Sequence, residues 1–174
     1  LFEIIKEKYL SESHLLIYCG DGRVETSDEE SFRQIDYVVK TLGNDLGLKA
    51  HPFTSEEDIG TRNSIRERFA SGDLQALVAI RCLDEGVNIP GIRTAFILAS
   101  STNPKEYVQR RGRVLRRAKG KTHAVIYDFI TLPRDLDLGK SVGDIDSELS
   151  LFKREKERMD DFVRLCENPS ESFK

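Results

Sequence analysis

In the stretch Gln109-Arg110-Arg111-Gly112-Arg113-Val114-Leu115-Arg116-Arg117, an amide and two guanidinium groups recur at steps of four and three, at Gln109, Arg113 and Arg116. Those steps share one face of an α-helix. Two rigid cationic forks beside an amide suit the spread charge of a phosphoryl-transfer transition state. The competing reading is a solvated basic helix, and Gly112 argues against it. Glycine inside a helix costs about 1 kcal/mol relative to alanine, and is tolerated mainly where something must come close to the backbone.

These side chains need a helix to carry them and a sheet to place that helix. Asn103-Pro104-Lys105-Glu106 supplies a capping Asn, a Pro at the first helical position and a Glu three residues after the cap, which together announce a helix start. Tyr107, Val108, Val114 and Leu115 then form an apolar face away from the arginines. Upstream, short apolar runs at 14–19, 48–53, 76–80, 94–99 and 123–129 read as strands, the second weakened by Pro52. Between them, Phe32, Ile35, Val38, Val39 and Leu42 mark a helix over 31–46, with Gly43 or Gly47 available to stop it. Ile65 and Phe69 mark another over 59–70, and 20–30 reads as a polar, acidic loop. Strands alternating with helices predict parallel pairing with right-handed crossovers, an open α/β sandwich. Ligands then meet the loops at the carboxyl ends of the strands, which gathers Gly20, Asp21, Thr54, residues 82–88 and residues 100–103 on one rim.

Gln109 to Arg116 resembles motif VI, Q-R-x-G-R-x-x-R, of superfamily 2 helicases and translocases. Cys82-Leu83-Asp84-Glu85-Gly86-Val87-Asn88-Ile89-Pro90 resembles the L-D-E-G form of that superfamily's motif V, found among excision-repair and restriction translocases of the DEAD/DEAH type. The resemblance covers roughly 13–129. It implies the second RecA-like domain, a three-layer sandwich around a mainly parallel sheet, with a C-terminal amphipathic helix added here. It also implies that Arg113 and Arg116 are arginine fingers for the γ-phosphate of ATP with Mg2+, bound mainly by an N-terminal RecA-like domain, and that Gln109 touches the same phosphate or the attacking water. Glu85, Gly86 and Asn88 would line the nucleotide, with Asn88 standing where the family usually has Asp, so that a ribose contact survives and a carboxylate role does not. Nucleic acid, with DNA favoured over RNA, would run over Gly20, Asp21, Thr54, Ser55, Arg62 and Arg81, held by its backbone. Arg110, Arg111 and Arg117 remain open between ion pairs that serve the fold and contact with another domain or a polyanion.

No G-x-x-x-x-G-K-[ST] phosphate loop occurs in the sequence, and no Asp-Glu-x-His or Asp-Glu-x-Asp run follows a strand. The expectation is half of a composite ATPase, inactive by itself. The alternative is a non-catalytic nucleic-acid-binding module of RecA-like fold, which would not require the Gln109, Arg113, Arg116 spacing.

Composition agrees with a globular chain: 174 residues, 39% hydrophobic and 33% charged, with net charge -3. The acidic whole conceals a basic stretch, since residues 105–121 hold eight Lys or Arg against one Glu, a local balance of +7. Local field rather than net charge decides where phosphate goes. Three cysteines, Cys19, Cys82 and Cys166, are widely spaced and predict reduced thiols, with no metal site. No apolar run is long enough to span a membrane, which leads to the expectation of a cytoplasmic protein of undetermined oligomeric state. The chain starts at Leu1, and Phe2, Ile5 and Tyr9 fall on one helical face, which suggests a piece of a longer protein. Its organisation is read as a RecA-like domain over 1–130, a linker or surface excursion over 131–146, and a C-terminal helix and tail over 147–174. In that helix Leu149, Phe152, Met159, Val163 and Cys166 recur at steps of three and four, either to pack on the same domain or to dock a partner.

Overall fold

The computed structural model describes residues 1–25, 31–80, 89, 91–98, 111–118, 120–130 and 142–171, with side chains in the last stretch described over 149–170. The chain divides into two compact units, Leu1–Phe129 and Ile130–Lys174.

The described residues of the first unit are built around a five-stranded sheet. β1 (Leu15–Tyr18) is fully buried along its length, which is why its sequence is a continuous apolar run rather than an alternation. It pairs in parallel with β5 (Ala76–Ala79) on one side and β6 (Thr94–Ile97) on the other. β4 (Ala50–Phe53) flanks β5 and β7 (Val125–Asp128) flanks β6, giving the order β4-β5-β1-β6-β7 with every pair parallel. Pro52 is tolerated because β4 is an edge strand, where one ladder is already missing.

Alternate residues of each strand feed opposite faces of the sheet. Leu16 and Tyr18 join Ile65 and Phe69 of helix α3 (Ile59–Ser71) on one face. Leu15 and Ile17 join Ile5 of α1 (Phe2–Lys8), and Ile35 and Val38 of α2 (Gln34–Lys40), on the other. The result is the expected three-layer sandwich. Within the second layer Phe96 stacks on Tyr127 at 4.9 Å, with Tyr9 edge-on to Phe96 at 5.7 Å. The Tyr9 and Tyr127 hydroxyls are 3.1 Å apart, and burial, with that hydrogen bond, pushes Tyr9 up to about 12.

Local signals explain the ends of α3. Asp58 caps its start by accepting from the Thr61 amide at 3.0 Å, and Gly72 ends it in the left-handed region at φ 86. Helix α2 runs on into a π-helical turn, Thr41–Asp45, closed by the Leu46 amide on the Thr41 carbonyl. Gly47, at φ 69, makes the exit that Gly43 does not.

Three expectations need correction. The helix predicted from residue 31 starts at Gln34, because Ser31–Arg33 is strand β3, paired antiparallel with β2 (Arg23–Glu25) inside the supposed loop. Arg23 secures that hairpin by donating from Nε to the Ser31 hydroxyl at 2.7 Å and from Nη2 to the Ser31 carbonyl at 2.6 Å, while Lys40 lies 4.9 Å over the Phe32 ring. In the second unit the helix spans Val142–Val163, so it begins inside the segment read as a linker and ends before Cys166. Leu149 and Phe152 of its apolar stripe are exposed. Among the described residues no helix is long and apolar enough to cross a membrane.

Candidate functional site

Because all five strands are parallel and in register, their carboxyl ends share one edge. Tyr18 is level with Ala79 and Ile97, Phe53 with Ala79, and Ile97 with Asp128. Gly20 and Asp21 after β1 and Thr54 and Ser55 after β4 therefore stand on one rim, as expected. The chain leaves β1 towards β4 and leaves β6 towards β7, so the topological switch falls between β1 and β6, where ligands collect in such sheets.

At the rim, much of the polar chemistry is already engaged. The Gly20 amide donates to Gln34 Oε1 at 2.6 Å, which ties the end of β1 to the start of α2. No motif or spacing in the sequence marks Gln34. Cys19 beside it is buried, and desolvation pushes its thiol up to about 12, so it is a neutral packing residue. Thr54 is buried and its hydroxyl donates to the Glu57 carboxylate, with both oxygens at 3.1 Å. Its amide donates to Glu57 Oε2 at 2.8 Å, and its hydroxyl accepts from the Glu56 amide at 3.1 Å. Thr54 thus shapes the loop that presents the exposed Ser55.

Arg62 donates from Nη2 to the Thr54 carbonyl at 2.9 Å. Its Nε is a buried donor with no hydrogen-bond partner among the described residues, as is Nε of Arg66 one turn later on α3. A buried donor without a partner is costly, and neither Nε is open to solvent. The signal for Arg66 was its four-residue step from Arg62, which places both on one helical face.

The arginine segment is helical over 111–114. Val114 is fully buried in the same layer as Tyr18, Ala95 and Ile97, which docks the segment on the sheet. Arg113 next to it is half-buried and Arg116 is exposed. Arg111 is buried and so belongs to the interior, whereas Arg117 is exposed. Leu115 is 57% exposed, against the expectation that it joins the apolar face. The cause is that the helix stops at 114: the Leu115 amide still reaches the Arg111 carbonyl at 2.9 Å, but the Arg116 amide turns to Arg113 at 3.3 Å, a three-residue step. Helical periodicity therefore does not carry through to Arg116.

A Cβ built on Gly112 meets nothing within 4 Å, so no described atom of this chain requires glycine there. Past the arginines, Lys121 folds back so that Nζ donates to the carbonyls of Val114 and Arg116, the latter at 3.1 Å. Nothing in the sequence spacing marks it. Gln109, Arg110, Arg81, Glu85, Gly86 and Asn88 lie outside the described residues. Among the described residues no cluster of three or more His, Cys, Asp or Glu could hold a metal ion.

Residues 7–118 match the family described as helicase conserved C-terminal domain. The chain is 30% identical over 78 residues to the DNA 3'-5' translocase XPB2 of Sulfurisphaera tokodaii, covering 45% of this chain and 17% of that protein. It is 26% identical over 117 residues to the ATP-dependent RNA helicase DDX51 of Homo sapiens, covering 66% of this chain and 17% of that protein. The chain thus spans less than a fifth of these curated relatives. Among solved structures, the C-terminal domain of the DEAD-box protein Dbp5 aligns with TM-score 0.57 at 15% identity, over 92% of this chain and 78% of that one. The yeast DEAD-box splicing factor Prp28 aligns with TM-score 0.58 at 14% identity, over 88% of this chain and 30% of that one. At such identities the likeness is one of fold, the RecA-like α/β arrangement described above. The family match takes in more than half of the chain, from α1 through β1 and β6 to the arginine segment, and so the chain belongs to the helicase conserved C-terminal domain family of superfamily 2.

Proposed function

We propose that this chain is the second RecA-like domain of an ATP-dependent nucleic-acid helicase or translocase, and that Arg113 and Arg116 are its arginine fingers. The observation that carries the reading is Val114, fully buried against the sheet between a half-buried Arg113 and an exposed Arg116. Burying one residue of the turn holds the backbone, and a held backbone lets a guanidinium meet a phosphate without reorganising at the moment of reaction. ATP, with its Mg2+, would be bound mainly by an N-terminal RecA-like domain. Closure of the two domains would bring Arg113 and Arg116 to the γ-phosphate, where they neutralise charge as the terminal bond breaks. Gln109 would orient the attacking water, and Glu85, Gly86 and Asn88 would line the nucleotide from this side.

Nucleic acid would lie over the strand-end rim, held by its phosphates. Support comes from the exposed Ser55 and from Arg62, which binds the carbonyl of the neighbouring Thr54. DNA is the substrate we propose, on the L-D-E-G form of residues 83–86 and the 30% identity to a protein named as a DNA translocase. The chain alone, without a phosphate loop, is expected to hydrolyse no ATP.

The test is steady-state ATP turnover of the full-length protein with single- and double-stranded DNA and RNA, comparing wild type with Arg113→Ala. An arginine finger is worth roughly 10³ to 10⁵ in rate, so the variant should lose turnover on the order of 10³ while keeping nucleic-acid affinity. Near-normal turnover would remove the finger assignment, and stronger stimulation by RNA would overturn the choice of DNA.

A further inference from the structure

We infer that Lys121 is a positioning residue that sets the arginine segment for catalysis, an inference that rests on the finger reading of Arg113 and Arg116. A helix that ends leaves its last carbonyls without partners in the helix. Here the Val114 and Arg116 carbonyls both accept from the Lys121 ammonium. The lysine reaches them because the chain reverses at once: Gly120 adopts φ 76, and the Lys121 amide donates to the Ala118 carbonyl at 3.1 Å. Only a residue at ease in the left-handed region makes that reversal cheaply.

The placement runs against simple electrostatics. The other charges of residues 105–121, seven Lys or Arg and one Glu, balance to +6, so a cation drawn in toward the arginines is repelled by its neighbours. It is also partly desolvated, which lowers the lysine below its ordinary value. Two carbonyls at the negative end of a helix are what offset these costs.

The consequence is mechanical. On one side Val114 is locked into the sheet's core layer; on the other, the chain enters β7 through the Val125 amide bonded to the Arg93 carbonyl at 2.9 Å. Lys121 ties the backbone of 114–116 to the reversal between those two anchors. The Cα positions from which Arg113 and Arg116 project are thereby fixed relative to the sheet. Lys121 touches no reacting atom in this scheme; its work is to hold the residues that do.

The experiment is turnover of the full-length protein with saturating nucleic acid for Lys121→Met, Lys121→Arg and, as reference, Arg113→Ala. Misplacing a catalytic group by about 1 Å costs on the order of 10²-fold, so Lys121→Met should lower kcat roughly 10- to 100-fold with KM for ATP within about twofold. Lys121→Arg, which keeps a cation able to donate to two carbonyls, should recover most of the loss at an unchanged thermal midpoint. If Arg113→Ala is crippled while Lys121→Met turns over normally, the inference fails and the finger reading stands. An equal loss in Lys121→Met and Lys121→Arg, following a fall in thermal midpoint, also overturns it, since the lysine would then serve stability alone. If Arg113→Ala turns over normally, the finger reading itself falls and the inference with it. Should Lys121→Met not fold, Lys121→Leu, which likewise offers no donor, carries the same expectations.

Discussion

Gly112→Ala separates two demands on the arginine segment. In this chain the position is helical, its φ is not among the positive ones, and an added methyl meets nothing within 4 Å. Alanine there should therefore stabilise the fold, by about 0.5 to 1 kcal/mol, because it loses less conformational freedom than glycine on entering a helix. At about 2–4 °C per kcal/mol for a chain of this size, the thermal midpoint rises by roughly 1–4 °C. If glycine is instead kept because a nucleotide or another domain comes against the backbone during closure, the same methyl lies in the contact. Turnover of the full-length protein should then fall about tenfold or more, which corresponds to about 1.4 kcal/mol lost from the transition state. The assays are thermal unfolding of this chain followed by circular dichroism, and ATP turnover of the full-length protein with nucleic acid. A raised midpoint with unchanged turnover would refute the close-approach argument for Gly112. A lowered midpoint would refute the reading of the site as open helix.

Two further outcomes test the framework that carries the site. Phe96→Ala removes a fully buried ring stacked on Tyr127, so it should cost about 3–5 kcal/mol in urea unfolding; a loss below about 1.5 would mean that the layer around β6 is not packed as described. Asp58 caps α3 through the Thr61 hydroxyl at 2.6 Å and the Thr61 amide, and these bonds hold its carboxyl below the ordinary value of 3.8. A lowered folded value means stability present above 3.8 and lost as pH falls through the lowered one, so the advantage of wild type over Asp58→Ala should be constant near neutrality and shrink in strong acid. A gap that does not change with pH would show that the charge on Asp58 contributes nothing.

Much of this protein is written in local pattern. The short apolar run at Leu15–Tyr18 reads as a strand buried on both faces, as it is, and Ile65 and Phe69 at a step of four share one face of their helix. Because strands and helices alternate, parallel pairing follows, and from it the rim that brings Gly20, Asp21, Thr54 and Ser55 to one edge. The motif spacing around Gln109, Arg113 and Arg116 likewise belongs to the sequence, and together with the L-D-E-G run at 83–86 it carries the resemblance to the family.

What the tertiary structure decided is which donor meets which acceptor across a distance. Ser31 to Arg33 has no signal strong enough to announce a strand; it becomes one because Arg23 and Val24 come alongside. Thr54 looks like an available hydroxyl until Glu57 turns back onto it. Helical periodicity extended through Arg116 predicts a buried Leu115, and the helix stops one residue before it. Lys121, one cation among eight in its stretch, acquires a role only because the chain reverses at Gly120 and brings it to two carbonyls. Periodicity is a property of neighbours along the chain, fixed by backbone geometry, whereas a hydrogen bond between distant residues exists only once burial has brought its two ends together.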